Sequence, residues 1–158
     1  MKIKTLVAVL LLSGGVTSTF AQSDCNANSS ISHEAVRAKN YKDAYAPCMA
    51  VLKDCPTLRY YTYTDAQKIL VGLMSQIKDR NSAEYKKLFD ELMTVHDQKM
   101  KYIPEFATKM KGVPSVASAL GTKAVDYLQY APAPDVNQAY AWLKESAETA
   151  KGDRKSVV

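Results

Sequence analysis

Three cysteines and two histidines are the residues of this chain whose chemistry could reach beyond packing. His33 is followed by Glu34, the opening of a zinc-protease HExxH pair, but Arg37 stands where the second histidine belongs. His96 has no second histidine near it in sequence to complete a metal site. It falls on the apolar face of its predicted helix, where a half-buried histidine is expected. No CxxC, CxxCH, GxSxG, GxGxxG or phosphate-loop pattern occurs. The expectation is therefore no catalytic residue, no metal and no cofactor. An uncharacterised enzyme, or a haem- or metal-handling protein, stays as an alternative.

The cysteines point to architecture. Cys48 and Cys55 are seven residues apart on one predicted helix, about 10.5 Å along its axis. A disulfide needs Cα atoms within about 7 Å, so these two should not pair. Cys25 precedes the first helix and Cys55 ends the second. In an antiparallel hairpin those ends meet, and a Cys25–Cys55 bond is expected. Cys48 is then the odd thiol, read as a small buried core residue.

The start of the chain sets the compartment. Lys2 and Lys4, the apolar run Leu6 to Leu12, and small residues ending at Ala21 form a secretory signal, with cleavage expected before Gln22. The run is too short for a permanent transmembrane anchor, and Gln22-Ser23-Asp24 before Cys25 is no lipobox. A periplasmic or secreted protein is expected. Loss of Lys2 and Lys4 lowers the net charge from +5 to +3. No basic run, RNA-binding aromatic motif or zinc-finger spacing occurs, so nucleic acid is not an expected partner.

The mature chain reads as helices throughout. Ile31 to Ala38 is a short helix after a polar lead-in. Asn40 caps the next, whose stripe is Tyr41, Ala44, Tyr45, Cys48, Val51 and Leu52. Pro47 should bend this helix, and Pro56 stop it. The connection PTLRYYTY carries three tyrosines, either packed over a junction or forming a contact surface. Thr64 and Gln67 read as a capping box, with a stripe of Ala66, Ile69, Leu70, Leu73 and Ile77. Ser82 caps a helix striped by Tyr85, Leu88, Phe89, Leu92, Val95, His96 and Ile103, ended by Pro104. Pro114 opens the next, striped by Val116, Leu120, Ala124, Val125 and Leu128. Gly121 within it predicts a close helix crossing. Asp135 caps the last, striped by Val136, Ala139, Tyr140, Leu143, Ala147 and Ala150, and ended by Gly152.

Tyr41, Ala44, Val51, Leu52 and Pro56 resemble the second helix of a tetratricopeptide (TPR) unit. Cys48 departs from it where an aromatic is usual, and the first helix lacks the family's Trp and Leu-Gly signature. Over the mature chain, YKDA…CP, YTDAQKI and LMTVHDQKMKYI resemble exported TPR-like proteins of Gram-negative anaerobes, with His96 where an aromatic is expected. The resemblance implies an all-α, right-handed stack of helical hairpins, a TPR-like α-solenoid of about six helices. It brings no catalytic residues. The expected organisation is a signal peptide at 1–21, a helical domain at 22–152 and a disordered tail at 153–158.

The resemblance implies a scaffold that binds a protein or peptide, with Lys68, Gln76 and Lys78 of the second unit's first helix as candidate contacts. Trp142, at the edge of the last stripe, either packs on the preceding helix or marks an open C-terminal face. The alternative role is a front module or self-associating subunit of a larger array, using that face.

Overall fold

The computed structural model describes the backbone of residues 17–155 and the side chains of residues 24–150. Residues 1–16 of the expected leader and 156–158 of the expected tail lie outside the described residues. Six helices and no strand occur among those described: α1 (Thr17–Arg37), α2 (Tyr41–Asp54), α3 (Tyr61–Met74), α4 (Ala83–Lys109), α5 (Val116–Tyr130) and α6 (Val136–Lys155). The chain is all-α. α1 packs on α2, and α5 on α6, more extensively than any other pairs. α3 joins the first pair by packing on both α1 and α2, and α4 joins α3 to α5.

The first helix is much longer than Ile31 to Ala38. Its buried stripe is Cys25, Ser29, Ser32 and Val36, regular at helical spacing but half serine, so apolar periodicity does not reveal it. The serines are satisfied locally: Ser32 Oγ donates to the Ser29 carbonyl (3.2 Å) and Ser29 Oγ to Tyr61 Oη (3.4 Å). α1 also begins ahead of the expected cleavage point. It ends in a Schellman turn. Asn40 N–H reaches the Ala35 carbonyl, Lys39 N–H the Val36 carbonyl, and Lys39 adopts φ 57°.

The Cys25–Cys55 disulfide is formed, with Cα atoms 6.3 Å apart. Cys48 is a buried free thiol. α2 starts with the Asn40 cap and continues unbroken through Pro47. Tyr63 is fully buried and donates to the Pro56 carbonyl, while Tyr60 and Tyr61 are half-buried. The connection's tyrosines therefore pack over the junction.

Four expected helix ends are corrected. Thr64 and Gln67 form no capping box, because α3 already begins at Tyr61 and Thr64 Oγ1 donates back to the Tyr61 carbonyl. α4 passes through Pro104 to Lys109. Its last turns are anchored by Phe106, buried edge-on against Tyr60 and Tyr63, which offsets the one backbone bond the proline removes. Pro114 lies outside α5, where Ser115 is the cap. Helix α6 runs past Gly152 to Lys155, so the tail expected to be disordered from residue 153 is helical to that point.

The α4 stripe lies inward as expected from Tyr85 to Ile103. The α6 stripe does not. Val136 and Tyr140 are each 67% exposed and Leu143 is 37% exposed. α6 instead rests on α5 through Ala139, Trp142 and Ser146. Small residues govern this choice. A Cβ on Gly121 would sit 3.0 Å from Ser146 Oγ, and that hydroxyl donates to the Ala117 carbonyl. Close approach of two backbones at Gly121 and Ser146 brings Trp142 onto Tyr127 and leaves Val136, Tyr140 and Leu143 outward.

Candidate functional site

Two polar clusters sit at the junctions between hairpins. At the first, His33 Nδ1 of α1 lies 2.7 Å from Asp65 Oδ2 of α3, and Asp65 is buried. The imidazole leans on the Tyr61 ring, whose hydroxyl receives Arg59 and Ser29. Cys48 is close by, its thiol pushed up to about 12 by burial and by the Asp65 charge. Such a thiol is no nucleophile at neutral pH.

The second cluster threads α3, α4 and α5. Lys99 Nζ donates to Gln67 Oε1 (3.4 Å). The Gln67 amide donates to His96 Nδ1 (3.0 Å). That assigns the ring proton to Nε2, which donates to Asp126 Oδ2 at 2.8 Å. His96 is fully buried rather than half-buried, and its whole hydrogen-bonding capacity is used. Lys99 is nearly buried over the Tyr60 ring, and burial lowers its pKa. Outside α4, Lys123 of α5 pairs with Asp97 and stacks over Trp142. Sequence periodicity marked His96 as inward, but could not name Asp126, Gln67 or Lys99 as its company. Those partners come from other helices.

Neither cluster lines the cleft between α2 and α4. Between α2 and α4 runs a cleft of about 500 Å³ lined by Lys42, Tyr45, Leu73, Gln76, Ile77, Glu84, Lys87 and Leu88. Tyr45 closes one end by donating to Glu91 of α4 (2.7 Å). Beyond it the cleft resumes for about 250 Å³ along Met49, Leu52, Val95 and Gln98, where Gln98 ties α4 to the Leu52 carbonyl. The floor is apolar, and Lys42, Glu84 and Lys87 stand at the rim, with Lys87 3.8 Å from Glu91.

The residues singled out from the sequence are not gathered in one place. Gln76 lines the cleft. Lys68 is exposed on α3, and Lys78 is exposed in the loop after it. The expectation of one helix carrying all three is corrected, because α3 ends at Met74. Trp142 is half-buried on α5, edge-on to Tyr127 with ring centroids 5.2 Å apart. Cys25 and Cys55 are joined. Among the described residues no group of three or more His, Cys, Asp and Glu could hold a metal ion. No described helix is long and apolar enough to cross a membrane. No family model matches this chain, no curated protein is detectably similar to it, and no solved structure matches its fold.

Proposed function

We propose that the chain is an exported, TPR-like stack of helical hairpins that acts by holding a segment of another protein. The observation that carries this is the α2–α4 cleft, with its floor of Leu73, Ile77 and Leu88 and its rim of Lys42 and Lys87. An apolar floor with a few polar groups around it is how a groove holds an extended or helical peptide. Lys42 and Lys87 offer positive charge to acidic residues beside the apolar ones, and Glu84 with Glu91 adds the opposite sign on the α4 side. The packing of α1 on both α2 and α3 supports a stacked arrangement for the first units. The disulfide fits an oxidising compartment, as export before Gln22 requires. The test is co-purification from the producing cells. Lys42→Glu with Lys87→Glu should abolish capture of the partner, while Lys68→Glu with Lys78→Glu leaves it. The opposite pattern would return the binding surface to the positions favoured by the sequence. Capture unaffected by either pair would remove the groove from consideration.

A second role, as a front module or self-associating subunit, is favoured by a separate observation, the uncharged outer face of α5 and α6.

A further inference from the structure

Helix α5 carries two charged residues, Lys123 and Asp126, and both face inward. Lys123 pairs with Asp97, and Asp126 with His96. The exposed positions of α5 are Val116, Ser118, Thr122, Val125, Leu128 and Gln129. None of them is charged. Solvated helix surfaces are ordinarily dense in charge. Beside this surface α6 presents Val136, Tyr140, Leu143 and Ala147 at helical spacing, all exposed. Val125 is 52% exposed and Leu128 borders it. Trp142 and Lys123 mark the side of the hairpin turned to α4, so Val125 and Leu128 of α5 lie with the α6 stripe on the side turned away, while Val116 stands half a turn from Val125. Lys144 and Glu148 stand at the rim. Charge depleted at the centre, an exposed tyrosine and a charged edge make up the composition of a protein interface.

We infer that this face is the self-association surface of the protein, pairing with the same face of a second copy about a two-fold axis. This rests on the subunit role and supplies its partner and symmetry. Two observations select that occupant. The described outer side of α1, at the other end of the chain's helices, exposes Asp24, Glu34 and Arg37 with Ile31 as its one large apolar residue. Head-to-tail stacking would bury the Glu34–Arg37 pair and Asp24 against an apolar surface, where nothing replaces the water they lose. Like against like places uncharged surface on uncharged surface, the isologous arrangement commonest among homo-oligomers. The size also fits. The 15 residues of α5 and the 15 of α6 whose side chains are described present about 450 Å² per copy, so a pair buries about 900 Å², the size of a weak, reversible interface.

Sedimentation of the natively processed protein tests this. A reversible dimer with micromolar dissociation is expected. Val125→Lys with Leu143→Glu should raise the dissociation constant at least a hundredfold while the circular dichroism melt is retained. Ile31→Glu should leave the dimer intact. In single-cysteine variants along the face at Val136, Tyr140, Leu143 and Ala147, the position nearest the axis should form an intermolecular disulfide under oxidation, since a two-fold axis brings a residue to its own copy only there. A monomer at 100 μM overturns the inference, as does a dimer indifferent to the double variant. Flotation of a monomeric protein with neutral lipid vesicles would assign the face to a membrane and overturn it too. None of these outcomes depends on Lys42 or Lys87, so pairing and groove binding are judged separately.

Discussion

His96 holds three helices together. Its two ring nitrogens serve Gln67 of α3 and Asp126 of α5. An aromatic of similar size would fill the volume but strand both partners. His96→Phe is therefore expected to cost about 2–3 kcal/mol in urea unfolding. Lys39 is the opposite case. It occupies a left-handed conformation that glycine adopts without strain, so Lys39→Gly should stabilise by about 1 kcal/mol, read as a higher thermal midpoint. Buried titratable groups set the alkaline limit. The Cys48 thiol is pushed up to about 12, mainly by burial, from an ordinary value of 9.0. Its folded-state pKa is raised, so its contribution is full below pH 9 and drains away as pH climbs toward 12. Tyr45, pushed up to about 12 by burial and by its bond to Glu91, acts likewise from pH 10. Lys99 works against them. Its pKa is lowered from 10.5, so the unfolded chain binds its proton more tightly, and stability rises with pH between the folded and ordinary values. Burial raises Tyr60, Tyr63 and Tyr130 as well, so the raised groups run together and stability is expected to fall as pH rises above 9. Cys48→Ala should flatten the limb between pH 9 and 10.

Gly72 lies where a Cβ would run into the Tyr41 ring. Alanine is worth about 1 kcal/mol over glycine in a helix interior, but here the clash outweighs propensity. Gly72→Ala should destabilise by about 1–3 kcal/mol. In combination with Tyr41→Ala the penalty should shrink, a coupling that a double-mutant cycle measures. Much at this scale was legible from sequence. The Asn40, Ser82 and Asp135 caps, the α4 stripe and the crossing at Gly121 all rest on local chemistry that acts within one turn. What escaped was decided at a distance. Pro104 stays helical because Phe106 reaches Tyr60 and Tyr63 on other segments. α1 extends well before Ile31, beyond what apolar periodicity marks, because half of its buried stripe is serine. α6 has two stripes that could face inward, and the small one won because α5 offers Gly121 and Ala117. Likewise Gln76 was legible as exposed, but its place in a cleft with Lys42 and Lys87 depends on α2 and α4 lying side by side.

For the molecule as a whole, the Cys25–Cys55 bond closes a sequence separation of 30 residues. Chain-entropy estimates for a loop of that length give about 3–4 kcal/mol. Reduction should lower stability by that amount in guanidinium titration, and expose α1 to protease first, since its serine-rich stripe supplies little apolar burial. The same geometry governs how the bond is made. Three thiols allow three pairings. In an open chain Cys48 and Cys55 are the nearest neighbours, so contact statistics favour the wrong couple. Once α2 winds, it holds those two sulfurs two turns apart and buries Cys48 against α3. Secondary structure thus acts as the proofreader of oxidation, and a chain oxidised before that helix forms would be trapped with its first hairpin open.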